Sequence, residues 1–124
     1  MTDDDLRDLF SGLGPVSIRR LFGGKGIYRD GVIVAVFLHG ELRLKGDGQL
    51  APELEAAGGR RWTYTHARHG RQVAMPYWSV PESALDDPDE MTMWARKAFE
   101  AGVRAGKQGQ GAGGRGVRPA PGSS

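Results

Sequence analysis

The segment with the clearest potential for chemistry is Phe22-Gly23-Gly24-Lys25-Gly26, which has the composition of a phosphate-binding loop. It is not a Walker A motif, because the first glycine of that motif is missing and Gly26 stands where a magnesium-binding Ser or Thr is needed. It also precedes a predicted strand, so no helix N-terminus is available for a dinucleotide. We predict a flexible turn whose glycines permit positive φ. Lys25 could point into a groove beside Arg19, Arg20 and Arg29. The candidate residues for contact with nucleic acid or a partner are these four cations together with Arg68 and Arg71.

A second group of residues interleaves aromatic rings with arginines. Trp62 and Tyr64 lie among Arg60, Arg61, Arg68 and Arg71. Cations alternating with aromatic rings can form a stacking platform for nucleic acid. The alternative, which we favour, places both rings in the core and the arginines at the ends and outer face of a hairpin. Met75-Pro76-Tyr77-Trp78 is predicted to pack in the core or at an edge, with an exposed aromatic contact surface as the alternative.

No other group of residues forms a catalytic or metal-binding constellation. The three histidines are His39, His66 and His69, and the last two share a predicted turn without a neighbouring acid. A zinc site needs three or four converging ligands. No Gly-x-Ser-x-Gly motif surrounds a serine, and no cysteine is present. We therefore predict no catalytic residue, no metal and no cofactor.

The apolar pattern predicts an antiparallel sheet with helices before, within and after it. The predicted helices are 3–10, about 52–57 and 87–103; the predicted strands are 16–22, 27–28, 32–38, 41–45, 62–66 and 72–75. Asp30-Gly31 is a type I′ hairpin signal, and His39-Gly40 indicates another turn. Pro76 belongs at an edge or a bulge near the end of the last strand.

The same pattern predicts which side chains point inward. Val16, Ile18 and Phe22 are expected inward on the first strand, with Arg19 and Arg20 at its outer end. The unbroken run 32–38 is typical of a strand buried on both faces. Residues 41–45 alternate leucines inward with charges outward. The expected architecture is an α+β two-layer sandwich in the order α, three or four strands, α, two strands, α.

Charge is distributed unevenly along the 124 residues. The formal net charge is +2, and Lys107, Arg115 and Arg118 supply three positive charges with no acid after residue 106, which leaves residues 1–106 at −1. We expect residues 1–106 to form the domain and residues 107–124 to be a disordered, glycine-rich basic tail. The acidic start lacks the features of a signal peptide, and no apolar run could span a membrane. These features predict a cytoplasmic protein.

Four segments in order carry a family resemblance. They are Arg20-Leu21-Phe22-Gly23-Gly24-Lys25-Gly26-Ile27-Tyr28, Gly40-Glu41-Leu42-Arg43-Leu44-Lys45, Gly70-Arg71-Gln72-Val73-Ala74-Met75-Pro76-Tyr77-Trp78-Ser79-Val80-Pro81, and Trp94-Ala95-Arg96-Lys97-Ala98. Together they resemble the TfoX/Sxy N-terminal domain family over residues 3–105. The resemblance implies an α+β fold similar to type III secretion chaperones. After Lys107 the sequence continues only as the glycine-rich tail, so we expect a stand-alone domain without the C-terminal helical domain of the family's namesakes.

The resemblance implies regulation rather than catalysis. The namesakes are competence regulators that act with the cyclic-AMP receptor protein. We therefore expect a non-enzymatic regulatory or adaptor domain that contacts an unidentified protein partner, with a homodimer as one form. Two alternatives remain: a nucleic-acid-binding module that uses the Arg19/Arg20/Lys25 face and the tail, and a small-ligand or catalytic site beside Gly23–Gly26.

Overall fold

The structure is a computed structural model that describes the backbone of residues 1–111 and the side chains of residues 1–107. Its α-helices are α1 (Asp3–Leu9), α2 (Ala51–Ala56) and α3 (Pro88–Gly111), and two 3₁₀ helices cover Ser11–Leu13 and Glu82–Asp86. Its strands are β1 (Ser17–Leu21), β2 (Gly24–Arg29), β3 (Val32–Leu38), β4 (Glu41–Lys45), β5 (Arg61–Thr65) and β6 (Gln72–Ser79). The prediction of an α+β fold with an antiparallel sheet is confirmed.

The six strands form one sheet in the order β1-β2-β3-β4-β6-β5. Two-residue turns join the first four strands: Phe22-Gly23, Asp30-Gly31 and His39-Gly40. All six turn residues have positive φ, as a type I′ turn requires. The prediction that Phe22 points inward is wrong, because Phe22 is the first turn residue and its side chain is 58% exposed. The glycine turn is also shorter than predicted, since Gly24, Lys25 and Gly26 belong to β2.

One face of the sheet packs against the helices and holds the main core. Strand residues such as Ile27, Ala35 and Leu44 are buried in the same cluster as Leu6 of α1 and Met91 of α3. Gly102 brings α3 close to β3, because a Cβ there would lie 2.6 Å from the carbonyl oxygen of Ile33. This contact fixes the distance between the long helix and the centre of the sheet.

The other face, which we call the open face, holds a smaller cluster formed by strand side chains. Val36, Leu38 and Tyr77 are buried there, with four partly buried neighbours around them: Leu21, Ile33, Trp62 and Met75. No helical side chain among the described residues joins this cluster. Because both faces of β3 meet apolar neighbours, the prediction that residues 32–38 are buried on both faces is confirmed.

Two predicted orientations on the open face are wrong. Trp62 and Tyr64 do not enter the main core: Trp62 packs in the open-face cluster and Tyr64 is 41% exposed. Lys45 was expected to point to solvent, but its side chain is buried against Tyr77, with Nζ 5.5 Å from the ring centroid. In both strands the side chains alternate between the two faces as predicted. The difference lies in what covers each face, because the helices pack on one face and no described helical side chain joins the cluster on the other.

Helix α3 runs through the boundary predicted at residue 106. Its first turn is capped by Asp87, whose Oδ1 accepts hydrogen bonds from the backbone N–H groups of Asp89 and Glu90 at 3.1 and 3.2 Å. The helix is described as far as Gly111. Residues 112–124, which hold most of the predicted tail, lie outside the described residues, and the tail's disorder stays a prediction.

Candidate functional site

The structure separates the cations that were predicted to share one groove. Arg19 lies on the open face, where its guanidinium carbon is 5.4 Å from the ring centroid of Tyr28. Arg20, the next residue of β1, projects to the opposite face and pairs with Lys25 across the β1–β2 ladder. The Arg19/Arg20/Lys25 group is therefore not a single face.

Two of these cations also contact helices. Lys25 Nζ donates a hydrogen bond to Asp3 Oδ1 at 2.5 Å, and this bond holds the pKa of the Asp3 carboxyl below its usual value. Arg29 lies over the ring of Phe99 on α3, with 5.1 Å between the guanidinium carbon and the ring centroid. Both side chains thus help to dock helices on the sheet.

The remaining predicted contact residues, Arg68 and Arg71, lie in the β5–β6 turn at the other end of the sheet from Phe22. Their backbone N–H groups donate to Nδ1 of His66 and of His69, respectively. The two imidazole rings stack in parallel with 4.0 Å between centroids. Within the described residues no group of three or more His, Asp or Glu side chains could hold a metal.

An aromatic patch forms at the end of the open face where the β1–β2 and β3–β4 turns lie. We define it by the residues that line a shallow depression of about 410 Å³: Phe22, His39, Trp62, Tyr64 and Met75. Trp62 is its centre, with ring centroids of Phe22, Tyr64 and Tyr77 each 6.2 Å away. The rings meet edge-to-face or tilted, at 68°, 41° and 51°, which is a favourable geometry for aromatic pairs.

Local backbone irregularities position the two main rings of this patch. Phe22 has φ of 53° in its turn, a conformation that side chains other than Asn and Asp seldom adopt. Trp62 sits at a bulge in the β5–β6 ladder, opposite the segment that contains Pro76. Because proline has no N–H to donate, the ladder is interrupted there. The prediction of a bulge at Pro76 is confirmed, but its place near the strand's end is wrong, because β6 continues to Ser79.

Cations line the open face beside the aromatic patch. Arg43 lies over the Trp62 ring, 5.2 Å from its centroid, and donates to Glu41 Oε1 at 2.6 Å. Lys45 lies over Tyr77, and burial lowers the pKa of the Lys45 ammonium. Among the described strand residues, alternation places three cations and one acid on this face: Arg19, Arg43, Lys45 and Glu41. The face is therefore positively charged although residues 1–106 are nearly neutral.

A second depression, which we call the basic depression, adjoins the aromatic patch. It encloses about 650 Å³, and its cationic or titratable lining residues are Arg20, Lys25 and His39. Phe22 and His39 line both depressions, so these two side chains form the wall between them. The Gly23–Gly26 segment does line this depression, but with the extended backbone of β2 rather than as a loop.

Comparison with known protein families identifies the domain that forms this surface. The TfoX N-terminal domain matches residues 8–102 of the 124 residues. The chain belongs to the TfoX N-terminal domain family. The matched range starts within α1 and ends within α3, so this TfoX N-terminal domain includes all six strands and both depressions. The family suggests a regulatory domain related to competence. A search of curated proteins finds no match.

Sequence reasoning missed the roles of Phe22 and His39 in this TfoX N-terminal domain. Each is the first residue of a two-residue turn followed by glycine, a position that favours Asn, Asp or Gly. A phenylalanine at such a position is a signal that the sequence alone offers, because the residue adopts an unfavourable φ and its ring stays exposed.

In the described part of the chain, no helix is long and apolar enough to cross a membrane.

Proposed function

We propose that the domain is a regulatory adaptor that has no enzymatic activity and acts by protein contact through the aromatic patch. One observation carries this proposal: the open face exposes Phe22 and Tyr64 at 58% and 41% with no described helix over them. The partner surface that fits is apolar at its centre and acidic at its rim, because Arg19, Arg43 and Lys45 lie on the open face beside the patch with one acid, Glu41, near them.

The composition of the patch supports protein contact. Aromatic residues, methionine and arginine are enriched in interface cores, and binding energy concentrates in a few such anchors. Trp62 supplies a rigid ring that is already packed on three sides by Phe22, Tyr64 and Tyr77. A surface held in place before binding loses little conformational entropy when a partner docks.

Nucleic-acid binding is a second candidate function. It is favoured by three cations of the open face that each lie over an aromatic ring: Arg19, Arg43 and Lys45. A base needs an exposed ring face to stack on, and a backbone needs a continuous row of cations. Here Arg43 covers one face of Trp62, and the rings of Phe22 and Trp62 meet at 68°. Residues 1–106 also lack the strong positive charge typical of such modules. These observations favour a protein partner.

Photo-crosslinking in the native cell tests the proposal. A benzoylphenylalanine replaces Tyr64 in the patch or, as a matched control, Met93, which is 37% exposed on α3. We expect discrete protein adducts from position 64, their loss when Trp62→Ala is added, and none from position 93. An adduct of twice the chain mass identifies a homodimer. Adducts to nucleic acid alone, or equal protein adducts from both positions, would overturn the proposal.

A further inference from the structure

The aromatic patch and the basic depression are neighbours that share one wall. Phe22 and His39 line both. A ligand seated over these two residues would therefore touch an apolar surface on one side and cations on the other. Adjacent groups of a single ligand can satisfy both sides at once.

The basic depression contains a cation without an anionic partner. Arg20 and Lys25 face each other across the β1–β2 ladder, and like charges in that position are destabilising. Asp3 neutralises Lys25 through its hydrogen bond. Arg20 is exposed and makes no ion pair within the described residues. An anion bound beside Arg20 would supply the missing partner and would complete this charge arrangement.

We infer that the wall formed by Phe22 and His39 seats a protein segment in which a bulky apolar side chain is next to carboxylates. The apolar side chain occupies the aromatic patch, and a carboxylate pairs with Arg20 in the basic depression. The inference rests on the proposed function and specifies its partner. Charge complementarity carries it, because the guanidinium of Arg20 matches the planar carboxylate in shape and charge.

The edge-to-face geometry of the patch favours an amino-acid side chain over a nucleobase. Phe22, Trp62 and Tyr64 surround the depression with ring edges as well as faces, so they form a socket rather than a flat platform. An aliphatic or aromatic side chain fits such a socket. An oligonucleotide would need parallel, exposed ring faces.

Selection from a random peptide library displayed on phage, with the full chain immobilised, tests this inference. The expected peptides combine one bulky apolar residue with adjacent Asp or Glu. The affinity of the best labelled peptide is then measured by fluorescence anisotropy for the wild type and three variants: Arg20→Gln, Tyr64→Ser and, as a charge-matched control on α3, Arg96→Gln. We expect Arg20→Gln and Tyr64→Ser each to weaken binding about tenfold, and Arg96→Gln to leave it unchanged.

The outcomes separate this inference from the proposed function. Apolar peptides without acidic residues, or binding unaffected by Arg20→Gln, would overturn the inference while the crosslinks from position 64 still support protein contact. Failure of any peptide to be enriched, together with tight binding of a labelled oligothymidylate that depends on Tyr64, would overturn both. Thermal unfolding of each variant shows whether a loss of binding reflects the site or the fold.

Discussion

The rings of Phe22 and Trp62 are in edge-to-face contact, with 6.2 Å between their centroids, although they belong to opposite edges of the sheet. Phe22 follows the edge strand β1, and Trp62 lies in the other edge strand, β5. Strands in a sheet are about 4.8 Å apart, so a flat six-stranded sheet would separate its edges by more than about 20 Å. The sheet therefore curls over its open face, and the two edges approach through their aromatic side chains.

This contact predicts that Phe22 serves binding more than stability. In Phe22→Asn, relief of the positive φ gains about 1 kcal/mol, while loss of the aromatic pair costs about the same. We expect the free energy of unfolding in urea to change by less than about 1 kcal/mol, whereas binding of the selected peptide is lost. A destabilisation above about 2 kcal/mol would show that Phe22 is a structural residue.

The spacing between α3 and β3 predicts opposite effects for two glycines of one helix. Gly102→Ala should destabilise the fold by about 1–3 kcal/mol, because the new Cβ would lie 2.6 Å from the Ile33 carbonyl oxygen. Gly106→Ala has open space around it and should stabilise α3 by about 0.5–1 kcal/mol through helix propensity. Urea unfolding measures both. A neutral Gly102→Ala would contradict the close packing described above.

The ion pair between Asp47 and Arg104 predicts a loss of stability in acid. Asp47 accepts from Arg104 Nε and Nη2 at 2.7 and 3.1 Å and from the Leu50 N–H at 2.9 Å. The bond from Arg104 is the main reason that the pKa of the Asp47 carboxyl is lower in the folded chain than its ordinary value of 3.8. Stability from this pair is thus complete above pH 3.8 and decreases as the pH falls further.

Asp47→Asn tests the acid dependence. We expect it to lower the free energy of unfolding by about 1–2 kcal/mol at pH 7 and to flatten its decrease below pH 4. Asp86→Asn is the control, because Asp86 is exposed and makes no ion pair among the described residues. Equal pH profiles for wild type and Asp47→Asn would refute the assignment.

Burial of Tyr77 on the open face predicts an alkaline transition. Loss of water around its hydroxyl raises the pKa of Tyr77 from 10.0 to about 12. The unfolded chain loses this proton first, so stability decreases as the pH rises from about 10 to about 12. Tyrosinate absorbance should show one step near pH 12 that Tyr77→Phe removes. Absence of that step would mean that the open-face cluster admits water.

The fold class and most of the elements follow from local patterns in the sequence. Alternation in 41–45, the apolar run 32–38 and the turn at Asp30-Gly31 are local signals, and each depends on residues within one strand or hairpin. The four-segment resemblance to the TfoX/Sxy N-terminal domain family is also a property of the sequence, and the match over residues 8–102 confirms it.

What covers each face of the sheet depends instead on how the strands and helices pack in three dimensions. Alternation shows that Trp62 and Tyr64 share a face, but not that this face lacks helices. Alternation also places Arg19 and Arg20 on opposite faces. The packing of α1 then brings Asp3 to Lys25, so that Arg20 has no ion pair among the described residues. The aromatic patch joins Phe22, His39 and Trp62 from three separate segments through the curl of the sheet. Such long-range contacts depend on how strands and helices pack, which no local pattern in the sequence specifies.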